Sequence, residues 1–240
     1  MADGDIRTDD KVWYAEFEKA YLPKPEERIG AGGNEEKKVP PPTALVHTSL
    51  GTDKNFEKMV DFYMKFFNCH VVNFRDKRGS GGARAAFISY DNRDHRFAIL
   101  ERPGCGFATG RGGVAHMAFQ YKSLKDLVTL YRQAKEWGIN PVHCINHGQS
   151  TSFYYEDPDG NEIETYIDNF DTPEECTHWK HWYQYRPGLD FDMSLGSFDP
   201  DSMAAAVDAG YDEKVLRNRD ELIKLKAAGT IKGGKWNPGG

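Results

Sequence analysis

Residues 147–164 read HGQSTSFYYEDPDGNEIE. Asp157-Pro158-Asp159-Gly160 within it is a turn with a mechanism. Proline fixes φ, aspartate bonds the nearby backbone, and glycine accepts positive φ. Ser152-Phe153-Tyr154-Tyr155 before the turn is rich in β-forming aromatics, and Glu162 to Ile167 after it alternates polar and apolar. The spacing predicts two strands joined by a hairpin. Alternation puts Glu162, Glu164 and Tyr166 on one face of the second strand and Ile163, Thr165 and Ile167 on the other. A repeated acidic residue on a strand ordinarily marks a solvated face. Glu164 acquires a role only if other groups arrive at the same place.

Working outward, residues 114–120 (VAHMAFQ) read as a strand carrying His116. Ser123 is a helix cap, Leu124, Leu127, Val128, Tyr131 and Ala134 form an apolar stripe, and Gly138 ends the helix. Residues 141–145 form a strand leading to the hairpin. The same order occurs upstream. Residues 44–50 (ALVHTSL) read as a strand carrying His47. Asp53 is the expected cap of a helix striped by Phe56, Met59, Val60, Tyr63, Met64 and Phe67. Strands follow over 69–74, 85–90 and 95–101, with a glycine-rich turn at 79–82. Two β-α-β-β-β units, each with a histidine in its first strand, make an internal repeat. The expected fold is α+β: paired βαβββ modules (43–105 and 112–170) forming one concave, barrel-like mixed sheet over residues 43–170. Glu101 ends the first module in a position loosely matching Glu164.

Residues 1–42 are polar and irregular and read as an arm and linker. Trp13, Tyr14, Phe17 and Tyr21 have the spacing of a short docking helix. Residues 171–240 form an extension. It has a Trp/Tyr-rich stretch at 179–185, helical patterns at 201–210 and 212–228, and a tail from 229 expected to be disordered.

The chain has 240 residues, with 31 basic against 37 acidic side chains and a net charge of −6. That balance argues against a nucleic-acid partner. No apolar run approaches membrane-spanning length, and the N-terminus lacks a basic-then-apolar leader. Cys69, Cys105, Cys144 and Cys176 show no paired spacing, as expected of free thiols in a reducing cytoplasm. Aromatic residues make up 13% of the chain, which suits a pocket for a flat substrate and suits an ordinary core equally well.

Equivalent first strands of two modules can face each other across one sheet, so that His47 and His116 meet, with Glu164 facing in from the last strand. Two histidines and one carboxylate on separate strands is the facial arrangement used for non-haem Fe(II) with open positions. Taken singly, each is more often a satisfied polar residue or a solvated carboxylate. The repeat is what joins them.

These modules, the two strand histidines and the DPDGNEIE ending resemble the vicinal oxygen chelate superfamily, which includes glyoxalases, extradiol ring-cleaving dioxygenases and bleomycin-resistance proteins. Residues 145–164 are similar to the extradiol dioxygenase signature at His147, Phe153, Tyr154, Pro158, Gly160 and Glu164. The segment 92–98 (NRDHRFA) resembles the family stretch in which an active-site histidine begins the last strand of module one. Asp94 stands where the family often has a second histidine. The resemblance implies His47, His116 and Glu164 as metal ligands, His95 as the acid–base residue, and His147 and Tyr154 as substrate-bonding groups. It implies Fe(II), or Mn(II), with O2 as co-substrate, a small aromatic diol as substrate, and a homo-oligomer, most simply a dimer. Two other functions remain open. A glyoxalase-like isomerase or lyase would want a fourth ligand, for which Glu101 is the candidate. A non-catalytic binding protein of the same fold would typically lack the ligands. His143 competes with His147 for the signature role, and His70, His178 and His181 have no assigned role.

Overall fold

The computed structural model describes residues 44–75, 84–102, 104, 114–172, 175–176, 179 and 193–235. By its contacts the chain divides into two compact units. One is Val46–Cys176 with Asp192–Gly240, described below. The other is Met1–Leu45 with Thr177–Phe191, of which residues 44, 45 and 179 are described. The expected N-terminal helix, the turn at 79–82, nearly all of the loop between the modules, and Trp182 to Tyr185 lie outside the described residues.

Both modules have the expected element order. The first is β1 (Thr48–Thr52), α1 (Phe56–Phe66), β2 (His70–Arg75), β3 (Ala85–Ser89) and β4 (Phe97–Glu101). The second is β5 (His116–Gln120), α2 (Leu124–Glu136), β6 (His143–Asn146), β7 (Ser150–Glu156) and β8 (Glu162–Asp168). They build two separate four-stranded sheets, ordered β1-β4-β3-β2 and β5-β8-β7-β6, in place of one continuous concave sheet. The first strand of each module pairs in parallel with that module's own last strand. The histidines sit earlier than expected: His47 precedes β1, and His116 is the first residue of β5.

Both sheets bury their apolar faces against one core. The first contributes Leu50, Ala86, Ile88, Phe97 and Ile99, and the second contributes Phe119, Phe153, Tyr155, Ile163 and Ile167. Phe67, just past α1, bridges them, with its ring 5.6 Å from Phe97 and 4.5 Å from Phe119. Phe97 and Phe119 themselves lie 5.9 Å apart, and Phe66 is 4.7 Å from Tyr155. A sheet that turns one face to the core turns the alternate residues away from it. Ser49, Phe87 and Ala98 therefore lie on the outer face of the first sheet. Ala118, His143, Tyr154 and Glu164 lie on the outer face of the second.

The hairpin turn is also an anchor. Asp157 is buried, and its carboxylate accepts from the backbone N–H groups of Asp159 and Asn161, the Asn161 amide and the Tyr63 hydroxyl at 3.0 Å. Gly160 takes φ +82°, as the turn requires. Asp53 does not cap α1. Asn55 precedes the helix, and its amide donates instead to Pro158 O and Asp159 Oδ1 across the module boundary. Ser123 caps α2 as expected, accepting from Asp126 N at 3.1 Å, and Gly138 past the helix end has φ +76°.

The C-terminal segment packs on the second module. A 3-10 turn (Met193–Gly196) leads to α3 (Pro200–Asp208), α4 (Glu213–Arg217) and α5 (Arg219–Ala227). The helical pattern read over 212–228 is divided at Asn218, whose side chain caps α5. Ser197 bridges to Ile145, and Phe198 is fully buried against Phe153. The tail expected to be disordered is packed as far as Ile231, which is 1% exposed, and Lys232 O accepts from Asp199 N. Its apolar isoleucine drives this, burying a side chain worth roughly 2 kcal/mol. Among the described residues no helix is long and apolar enough to cross a membrane.

Replacing Asp157 with alanine removes four accepted hydrogen bonds and strands the buried Tyr63 hydroxyl. Urea denaturation is expected to show a loss of about 2–3 kcal/mol for Asp157→Ala and about 1 kcal/mol for Tyr63→Phe, which leaves Asp157 otherwise satisfied.

Candidate active site

Register builds the site. Tyr154 on β7 pairs with Glu164 on β8 and with His143 on β6, and Glu164 pairs with Ala118 on β5. Those four residues form one row across the outer face of the second sheet. In the adjacent row His116 stands opposite Glu162.

Glu164 is only 8% exposed, and its two oxygens do different work. Oε1 accepts from Ser152 Oγ at 2.6 Å and from the Tyr154 hydroxyl at 2.9 Å. Oε2 lies 3.1 Å from His116 Nε2. The single phenolic proton of Tyr154 goes to Glu164, so the His147 Nε2 at 2.9 Å must be the donor to Tyr154. That fixes the His147 tautomer. His143 stacks on the Tyr154 ring with centroids 4.2 Å apart. Burial raises the Tyr154 hydroxyl pKa far above its ordinary value, reinforced by the Glu164 charge, so the phenol stays a donor. Burial also raises the Glu162 carboxyl and lowers both His143 and His147, against the opposing pull of Glu164 on the two imidazoles.

His147 is held by a buried amide network. Asn146 Oδ1 accepts from Gly148 N at 2.7 Å and from the Asn169 amide at 3.0 Å, while Asn169 also donates to Gly148 O. Gly148 has φ +88°, and His147 N donates to Ser150 O. Arg219 from α5 donates to Asn146 O at 2.6 Å.

The remaining two expected residues sit on the first module. His95 lies just before β4, with its Nδ1 2.6 Å from Asp94 Oδ2 and its ring edge-on to Phe87. His47 is exposed and lies against it, ring centroids 4.5 Å apart. The structure thus gathers His116, Glu164, Tyr154 and His147 in one place, and His47 with His95 in another. Among the described residues no group of three or more His, Cys, Asp or Glu side chains is close enough to hold one ion.

Glu101 is not the counterpart of Glu164. Ala98 pairs with Ser49, two residues after His47, as Glu164 pairs with Ala118, two residues after His116. Glu101, three residues beyond Ala98, projects to the opposite side, where it binds the Arg84 guanidinium and backbone. Arg84 also pairs with Glu57 and covers the Phe56 ring.

The donor set suits a divalent ion. Two ligand atoms each about 2.1 Å from a cation, at a right angle, stand about 3 Å apart. That is the spacing of His116 Nε2 and Glu164 Oε2. Sequence reasoning missed Ser152, although its position two residues before Tyr154 puts it on the same face. It also missed Asn146 and Asn169, whose roles depend on loop closure and leave no local pattern.

A family model described as the Glyoxalase/Bleomycin resistance protein/Dioxygenase superfamily matches residues 44–165. The chain is 36% identical to biphenyl-2,3-diol 1,2-dioxygenase 3 of Rhodococcus globerulus, covering 76% of this chain and 91% of that one. It is 38% identical to biphenyl-2,3-diol 1,2-dioxygenase 2 of the same organism, covering 69% and 82%. A solved glyoxylase/bleomycin resistance protein/dioxygenase domain from Frankia sp. EAN1pec aligns with 16% identity and a TM-score of 0.44, covering 53% of this chain and 99% of that domain.

The buried imidazoles make stability depend on pH. With folded pKa values of His143 and His147 below the unfolded value of about 6.5, the unfolded chain binds more protons just below that pH. The free energy of unfolding therefore falls as pH drops from 7 to about 5.5. Urea midpoints across that window are expected to slope less steeply in His143→Gln/His147→Gln; an unchanged slope would contradict the burial assignment.

Proposed function

The chain belongs to the Glyoxalase/Bleomycin resistance protein/Dioxygenase superfamily and is an extradiol ring-cleaving dioxygenase, and we propose that it opens a catechol-like aromatic diol at an iron(II) held by His47, His116 and Glu164. Mn(II) suits the same donors. The observation that carries this reading is the contact of His116 with a buried Glu164 whose other oxygen is already satisfied by Ser152 and Tyr154. That leaves one carboxylate oxygen beside one imidazole nitrogen, 3.1 Å apart. His47 is the third donor by its place in the repeat. The bound ion supplies Lewis acidity and a common platform for the diol and O2.

The chain's own groups handle protons and orientation. A diol that binds through both oxygens must give up at least one proton, and His95 takes it. Asp94 holds His95 Nδ1, which leaves Nε2 for that transfer. His95 returns the proton as the ring opens. Tyr154, with its proton directed to Glu164 and His147 donating to it, keeps one oxygen lone pair to accept from a substrate hydroxyl, and the Ser152 and Tyr154 bonds keep Glu164 from turning away. The isomerase alternative wants a carboxylate from module one at the position of Glu164, and Ala98 occupies it. The cytoplasm is the compartment that free Cys69, Cys144 and Cys176 suit.

Anaerobic loading with Fe(II), followed by catechol-type substrates and O2, is expected to show oxygen uptake and a yellow ring-cleavage product. His116→Ala and Glu164→Ala should lose both iron and turnover. His95→Ala should keep its iron while kcat falls roughly 10²–10⁴-fold. No oxygen uptake with any aromatic diol, together with activity on a thiohemiacetal, would reverse the assignment.

A further inference from the structure

We infer that the C-terminal segment sets the position of His147, through the bond from Arg219 of α5 to the Asn146 carbonyl and the close cover of that bond by Gly196. Arg219 and Asn146 are then positioning residues for the reaction, because His147 is the donor to Tyr154. This rests on the role proposed for Tyr154 and adds the element that keeps it aligned.

Asn146 is tied to the extension by backbone and side chain together. Its backbone O accepts from Arg219 Nη1 at 2.6 Å, and its side-chain amide donates to Arg217 O at 2.8 Å. Asn218, between those two partners, caps α5 with its own side chain and so fixes the joint of α4 and α5. The remaining oxygen of Asn146, Oδ1, accepts from Gly148 N and from the Asn169 amide. Thr151 in turn donates to Asn169 Oδ1 at 2.7 Å. The backbone is thereby pinned on both sides of His147. Backbone position decides where a side chain reaches, and here the imidazole Nε2 meets the Tyr154 hydroxyl at 2.9 Å.

The clamp is buried and closely fitted. Asn146 is fully buried and Arg219 is 4% exposed. A guanidinium so far from water is costly to place, and its rigid fork fixes the direction of the bond it donates. The turn Met193–Gly196 closes over that bond. A Cβ at Gly196 would collide with both Arg219 Nη1 and Asn146 O, so the backbone comes as near as glycine allows. Lys226 lies about two turns along α5 from Arg219. It donates to Leu195 O at 2.8 Å and to Ser197 O at 2.6 Å, the carbonyls on either side of Gly196. One helix therefore holds the His147 loop with one cation and the turn that covers it with another.

The test compares variants of the full chain. Arg219→Met deletes the bond. Gly196→Ala changes no polar group and pushes Arg219 off the Asn146 carbonyl. Asp201→Ala loosens the same extension elsewhere, where Asp201 accepts from Tyr131 and Lys135 of α2. The first readout is nitrogen NMR of isotopically labelled histidine rings, with His147 assigned by its loss in His147→Gln. The wild type is expected to show His147 as one tautomer, protonated at Nε2. Arg219→Met and Gly196→Ala should move those signals toward the average of the two tautomers, and Asp201→Ala should leave them in place. The second readout is kcat/KM per bound iron. It should fall roughly tenfold in Arg219→Met and Gly196→Ala, the worth of about one hydrogen bond, with iron content unchanged. Asp201→Ala should stay at the wild-type level. His147 signals that hold still in both clamp variants, or move as far in Asp201→Ala, would overturn the inference. Shifted signals with undiminished kcat/KM would overturn the positioning role. A wild-type chain that turns over no aromatic diol would remove the proposed function instead, and the nitrogen signals would still decide the clamp. Should Arg219→Met fail to fold, Gly196→Ala carries the comparison alone.

Discussion

Phe67 stands between Phe97 and Phe119, and through it the inner faces of both sheets close on one core. The rest of the molecule follows from that closure. Burying Phe119, Ile163 and Tyr155 commits the alternate residues of the same strands to the far side, and Glu164 is one of them. A slip of one residue in β8 would drive Glu164 into an apolar core. The desolvation penalty for an unpaired carboxylate there is several kcal/mol. The register that packs the core is therefore the register that presents Glu164 and His116, the proposed ligands, on the outer face.

Glu164 is itself nearly buried, which demands local compensation. Ser152 and Tyr154 provide it through one oxygen, and their own positions come from the same hairpin. Tyr154 is in turn braced by His143 on one side and by His147 on the other. The His147 loop is fastened by Asn146, Asn169 and, from the C-terminal segment, Arg219. The extension thus bears on the site through Arg219.

The repeat, its element order and the hairpin were legible because they rest on local chemistry: turn residues, caps and alternation. The signature around His147, Tyr154 and Glu164 was legible by likeness to a family. What local pattern could not convey is which sheets join. Period-two alternation assigns each residue a face but is silent on where that face looks, so one continuous sheet was expected and two were found. Glu101 was a matter of counting. It ends module one much as Glu164 nearly ends module two, yet three residues separate it from Ala98, and an odd step along a strand changes sides. Asn55 was missed because its partners lie about a hundred residues away, at Pro158 and Asp159.

The two modules are copies that have diverged unequally, and Ala98 marks the divergence. Where one half carries a carboxylate, its twin carries a methyl group, so under the proposed ligand set an ion would find no carboxylate from the first half. Such a gap is what a bidentate guest and a diatomic gas would need to enter together. A single small side chain, silent in every motif, would then separate an enzyme that consumes oxygen from cousins that merely rearrange their substrates.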